Sequence, residues 1–266
     1  MDREQEKAVA RKIFHARKNR HKFQALRDAE APGSLESAYR IQDEVDRLFQ
    51  TEGGAGPMGG HKIALTSQVV QELCGVNQPA YGRVIAGTIR KSPAAVSLSD
   101  YGRLGLEFEV AVEMGQDIPA GKAAYDRDSI ADYVAAVMTA FELIDDRDAD
   151  YSTLDAASIL TDRCWCGGVV LGEAVTDWSD LDLANAATEL TWNGDVIDHG
   201  VAGDSMGHPF EGLAWIANHL ISRGQTLRSG DVIITGSALK TQFPKAGDQA
   251  SYRIEGLGTI SVQVGA

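Results

Sequence analysis

Leu104-Gly105-Leu106-Glu107-Phe108-Glu109-Val110-Ala111-Val112-Glu113-Met114 alternates so regularly that it reads as a β-strand. Leu106, Phe108, Val110 and Val112 face one side, and Glu107, Glu109 and Glu113 face the other. An antiparallel strand with one wet face alternates in the same way. The alternative is more specific: two carboxylates projecting side by side repel each other, and protonation or a divalent cation taking oxygen ligands relieves the repulsion.

A second acidic group favours the cation. Phe141-Glu142-Leu143-Ile144-Asp145-Asp146-Arg147 ends another short apolar stretch in carboxylates. Hard cations are gathered from neighbouring strands in this way, and dispersed carboxylates suit Mg²⁺ or Mn²⁺ better than zinc.

With 266 residues, 44% of them hydrophobic, the chain can bury a substantial core as one unit. The net charge of −13 argues against a nucleic-acid partner, and an anionic substrate needs local positive charge, which a cation and a lysine would supply. Cys74, Cys164 and Cys166 are an odd number without a disulfide or zinc pattern. They suggest a cytoplasmic chain, with Cys164 and Cys166 as buried strand residues. No run resembles a signal peptide or reaches membrane-spanning length, so no membrane partner is expected.

Residues 2 to about 29 read as a charged helix with a basic face, including Arg11, Lys12, Arg17, Lys18 and Arg20, that is solvated or contacts another subunit. Ser34 caps a second helix in which Ala38, Ile41, Val45, Leu48 and Phe49 form an apolar stripe. The glycine-rich stretch from Gly53 to Gly60 reads as a flexible loop or lid. Lys62 follows inside a short strand, where a buried lysine needs an anion. A helix from Ser67 stops at Gly75, and further helices are expected over Ser129–Ala140 and Pro209–Arg223. Trp192-Asn193-Gly194-Asp195 is a hairpin signal. The expected fold is α+β: a helical arm over 1–60, then a mostly β roll of mixed sheets over 61–266.

Seven stretches carry a family resemblance: HKIALTS (61–67), GVNQPAYG (75–82), LGLEFEVAVEM (104–114), FELIDDR (141–147), NGDVIDHG (193–200), GHPFEGLAWIANHL (207–220) and GDVIITGS (230–237). In this order they resemble the 2-oxopent-4-enoate hydratases and their 4-oxalocrotonate decarboxylase relatives, a branch of the fumarylacetoacetate hydrolase superfamily. The resemblance implies a β roll and a Mg²⁺ or Mn²⁺ ion held by Glu107, Glu109 and Asp145. It implies a catalytic role for Lys62, with a pKa lowered by desolvation, and Glu142 or a metal-bound water is the candidate for a further proton transfer. Ser237, Thr66 and Leu65 are the expected substrate contacts. It further implies a homo-oligomer, with a pathway aldolase as a partner.

The implied reaction is hydration of a 2-hydroxy-2,4-dienoate from aromatic or sterol ring cleavage. One departure stands out: Ala80 occupies a place where hydratases carry an Asp. It keeps open decarboxylation of a 2-oxo-3-enedioate, acylpyruvate-type carbon–carbon hydrolysis with His61 or His208 as the base, and silent binding of a 2-oxo acid. His208 at a helix start reads as structural, and His61 should point away from Lys62.

Overall fold

The computed structural model describes residues 1–121 and 124–266. In chain order, two helices, α1 (Arg3–Lys18) and α2 (Leu35–Thr51), precede strand β1 (Met58–Ala64) and helix α3 (Gln68–Leu73). Strands β2 (Ala80–Ile85), β3 (Ile89–Lys91), β4 (Ala94–Ser97) and β5 (Leu104–Met114) lead to α4 (Arg127–Ala131) and β6 (Val134–Asp145). Next come α5 (Ala156–Thr161), β7 (Cys166–Leu171), β8 (Ala187–Trp192), β9 (Asp195–Val201) and α6 (Pro209–Ser222). Strands β10 (Val232–Ile234), β11 (Gln249–Ile254) and β12 (Gly258–Gly265) finish the chain.

The strands form two mixed sheets, of seven in the order β2-β1-β10-β5-β6-β7-β3 and of five in the order β4-β12-β11-β8-β9. The expected α+β roll with N-terminal helices is what the chain builds. β5 lies at the centre of the larger sheet, antiparallel to both β6 and β10. Its Phe108 face packs on the smaller sheet, with Phe108 and Phe141 meeting Tyr252 at ring-centroid distances of 5.5 and 6.2 Å. The opposite face holds a second apolar cluster that includes Val84, Ala111, Met138, Ala140 and Ile234. β2 approaches β7, so this second face lines the inside of a curled sheet.

Ser34 caps α2 through the Ser37 N–H, and Ala38, Ile41, Val45 and Leu48 are buried as expected. The Asn193-Gly194 turn joins β8 to β9 with both residues at positive φ, the backbone a two-residue hairpin requires. Ser67 caps α3, and His208 with Pro209 opens α6.

Other expectations fail for physical reasons. The helix expected at Ser129–Ala140 is a single turn, and residues 134–145 are strand β6. Its Ala- and Met-rich run suits a helix locally, but ten of its twelve residues are buried, and the β5 ladder outweighs propensity. α1 stops at Lys18 rather than near residue 29, after which Phe23 and Leu26 plug into the body as buried side chains. Arg17 is no surface cation: its guanidinium is buried against Asp162 at 3.1 Å and the Cys166 carbonyl at 2.8 Å. The loop expected to Gly60 ends earlier, since β1 starts at Met58. A Cβ at Gly60 would lie 1.8 Å from the Val232 carbonyl oxygen, so that glycine belongs to close strand packing. Cys164 and Cys166 are buried, but only Cys166 is in a strand; Arg163, Cys164 and Trp165 form a left-handed turn.

Candidate active site

Glu107 of β5 pairs directly with Glu142 of β6, and Glu109 pairs with Ala140. Cross-strand partners share a face, and so do residues two apart on one strand. Glu107, Glu109 and Glu142 therefore converge, with one carboxylate oxygen from each within 4.8 Å of the others. From β1, Lys62 Nζ reaches Glu142 Oε2 at 3.0 Å and Glu107 Oε2 at 3.9 Å. Glu109, Glu142 and Lys62 are buried, and Glu107 alone opens outward, its side chain 22% exposed.

Three carboxylates against one ammonium leave an excess of buried negative charge. Burial raises the Glu109 pKa, and repulsion from Glu107 adds to it. Burial likewise raises Glu142, and Lys62 offsets this only in part. Oε1 of Glu109 and Oε1 of Glu142 have no hydrogen-bond partner. Buried oxygens without partners, in a site with surplus negative charge, are the donor set that a hard divalent cation takes. The residues fit such an ion.

One segment fixes the orientation of the carboxylates. After β10, the Gly236 N–H donates to Glu109 Oε2 at 2.6 Å, and the Thr241 hydroxyl donates to Glu107 Oε1 at 2.8 Å. Between them the Ser237 hydroxyl accepts from the Phe108 N–H at 2.9 Å and donates to the Leu239 carbonyl at 2.8 Å. Gly236 has φ 108°, and a Cβ there would lie 2.3 Å from Ser205 Oγ and 2.5 Å from Thr66 Cγ2. Only glycine can bring this amide to Glu109.

Residues 80–265 match the fumarylacetoacetate (FAA) hydrolase C-terminal family. The chain belongs to that family. Among its relatives, the 2-hydroxyhexa-2,4-dienoate hydratase of Comamonas testosteroni is 30% identical over 95% of this chain and 94% of its own. The 2-keto-4-pentenoate hydratase of Paraburkholderia phymatum is 28% identical over 95% of each. In three dimensions the 4-oxalocrotonate decarboxylase from Pseudomonas putida G7, complexed with magnesium and adipate, superposes with a TM-score of 0.91. It is 25% identical, covering 99% of this chain and 98% of its own. The family match takes in the three carboxylates and the Gly236–Thr241 segment, whereas Lys62 lies before it.

In this FAA hydrolase family chain the acidic residues divide between two faces. Asp145 is three residues from Glu142, an odd step along a strand, and pairs with Leu104 on the opposite face. Its carboxylate accepts from the backbone N–H groups of Gly102 and Arg103, so Glu142 rather than Asp145 completes the carboxylate group. Asp146 binds Arg103. Ser237 uses its hydroxyl on backbone partners. Thr66 packs against Gly236, and Leu65, at φ 56°, accepts on its carbonyl from Gln71.

Ala80 is buried at the start of β2 opposite Ala64 and offers no acid. His61 points away from Lys62; burial first, and then Arg83, push its pKa down to about 3. His208 accepts from the Phe210 N–H at 3.0 Å as the cap of α6. Lys62 departs from expectation: burial lowers its pKa, but Glu142 and Glu107 outweigh burial and the net shift is upward. Thr241 carried no sequence signal, and Gly236 stands in the GDVIITGS stretch, where the substrate role was expected of Ser237. Glu142 carried half a signal: a two-residue period puts it and Asp145 on opposite faces, and the register with β5 decides which of them meets Glu107.

Proposed function

We propose that this chain is a divalent-cation-dependent hydro-lyase that adds water to a 2-hydroxy-2,4-dienoate, through its 2-oxo-3-enoate tautomer, to give a 4-hydroxy-2-oxo acid. The observation that carries the reading is the buried group of Glu107, Glu109 and Glu142 with Lys62 against it. The hydratase names of relatives that match the chain almost end to end support the reaction class. Mg²⁺ or Mn²⁺ is the proposed ion, in keeping with an all-oxygen donor set and with the magnesium bound by the structural neighbour.

Glu107, Glu109 and Glu142 would hold the ion, which when bound supplies electrophilic polarisation of the substrate's 2-oxo group. Lys62, kept protonated by Glu142 and Glu107, presents a fixed positive charge and a hydrogen-bond donor to the enolate oxygen or carboxylate. In the first stage the 2-hydroxyl proton leaves and C5 gains one, which conjugates the 3,4 double bond with the ketone. In the second, water bonds to C4, and its surplus proton leaves while C3 gains one. With Ala80 lacking an acid, Glu142 is the side chain proposed to take and return protons, through the carboxylate oxygen that the ion would leave free.

The reading extends, on the family likeness, to a cytoplasmic homo-oligomer that hands its 4-hydroxy-2-oxo acid to an aldolase. The test is an ultraviolet assay with 2-hydroxypenta-2,4-dienoate in Mg²⁺ and in EDTA. Loss of the diene absorbance with a gain of one water, in Mg²⁺ alone, is the expected outcome. A second reading, decarboxylation of a 2-oxo-3-enedioate, is favoured by Ala80 and by the decarboxylase superposition. Release of CO₂ from that substrate without dienoate hydration would select it.

A further inference from the structure

The carboxylate face of β5 continues past Glu107 toward the start of the strand, and the register defines what stands there. Gly105 pairs with Ile144 of β6. On the other edge, Gln242 bridges antiparallel to Leu106, which puts Thr241 beside Glu107 and Phe243 beside Gly105. Ile144 and Phe243 fill the space above Gly105: a Cβ there would lie 2.7 Å from Ile144 Cγ1 and 3.2 Å from Phe243 Cε1. One row outward from the carboxylates, the face is apolar.

The next row holds a cation that is already matched. Arg103 Nε donates to Asp146 Oδ1 at 2.8 Å, Nη2 to Asp146 Oδ2, and Nη1 to Asp148 at 3.2 Å. Its guanidinium stacks 4.7 Å from the centre of the Phe243 ring, and the Tyr151 hydroxyl donates to the same Asp146. Asp148 also pairs with Lys22 at 2.6 Å, so two carboxylates meet two cations and this row carries no surplus positive charge. Lys240, next to Thr241, is exposed. Phe243 and Tyr151 are each 43% exposed, so this is the end at which the site opens.

We infer that the face beyond Glu107 is the subsite for the far end of the substrate, where Phe243 and Ile144 select an uncharged alkyl or vinyl terminus over a second carboxylate. This rests on the hydro-lyase reading for the reacting end. An alkyl terminus buries against the half-exposed Phe243 ring, which Ile144 backs beside Gly105. A terminal carboxylate would lose water against apolar groups and meet Asp146 and Asp148, whose cations Arg103 and Lys22 are already paired.

The test compares kcat/KM for 2-hydroxyhexa-2,4-dienoate and 2-hydroxyhepta-2,4-diene-1,7-dioate in the full-length protein with Mg²⁺. The expected ratio favours the monocarboxylate by about tenfold or more, since a mispaired charge is a strong discriminator. Phe243→Arg should shrink or reverse the ratio through the KM of the dioate, and Phe243→Ala should raise the KM of the hexadienoate. An even or dioate-favouring ratio in the unaltered protein, or one unmoved by Phe243→Arg, overturns the inference. If neither dienoate turns over, calorimetric binding of 2-oxohexanoate and 2-oxoadipate to the Mg²⁺-loaded protein separates the two claims. Tighter binding of 2-oxohexanoate keeps the subsite while the hydratase reading falls; any other binding result ends the subsite too.

Discussion

Glu107 and Glu142 stand directly opposite each other across β5 and β6, a pairing of like charges that a sheet tolerates only with a counter-charge. Lys62 supplies part of it, at 3.0 Å from Glu142.

Removing either fully buried carboxylate should therefore remove the cation. In the unaltered protein, Mg²⁺ or Mn²⁺ at 100 times its Kd should add about 2.7 kcal/mol of stability. In Glu109→Gln and Glu142→Gln the metal-dependent rise in Tm should vanish, whereas in Asp145→Asn, on the other face, it should persist. Thermal melts with and without EDTA read this directly, and a lost shift in Asp145→Asn alone would reverse the assignment.

Without metal, stability should fall as pH rises. Burial and repulsion from Glu107 push Glu109 up to about 8, above its ordinary value, so between that value and 8 the folded state holds a proton that the unfolded state has lost. The stabilisation is complete below the ordinary carboxylate range and disappears as pH climbs through the raised value. Glu142, also raised, acts in the same direction. Melting in EDTA from pH 5 to 8 should show a declining Tm, and the gain from added Mg²⁺ should grow over that range.

Lys62→Met should keep the metal-induced Tm shift and lose turnover by about 10²-fold or more, the scale of a positioned proton or charge donor. Near-normal kcat in this variant would reduce Lys62 to a counter-ion for Glu142.

Thr241→Val deletes one hydroxyl, the donor on Glu107, with little change of shape. Outer partners of metal ligands typically tune affinity about 10–100-fold. Weaker Mn²⁺ binding by calorimetry, restored in Thr241→Ser, is expected; unchanged affinity would leave the contact incidental.

Gly236→Ala tests the same segment through its backbone. Left-handed φ and contact with Ser205 and Thr66 should cost about 1–3 kcal/mol, visible as a lower Tm even in EDTA.

Much of the frame was legible in the chain because its signals are local. The alternation of β5, the Asn193-Gly194 turn, the Ser34 cap and the Pro209 start each depend on a few neighbours. The first half of β6 reads as a helix because Ala135, Ala136, Met138 and Ala140 carry no two-residue alternation once both faces are buried. The same strand hid the choice between Glu142 and Asp145, which only register with β5 decides. Arg17, read as a surface charge, pairs with Asp162, a residue 145 positions away that no local pattern announces.

The segment bearing Gly236, Ser237 and Thr241 is also the connection from β10 in the larger sheet to β11 in the smaller one. Holding the carboxylates in place thus also staples the two layers of the roll together. Emptying the centre would slacken that seam, and amide exchange should quicken first in β11, a strand that contributes no side chain to the three-carboxylate group.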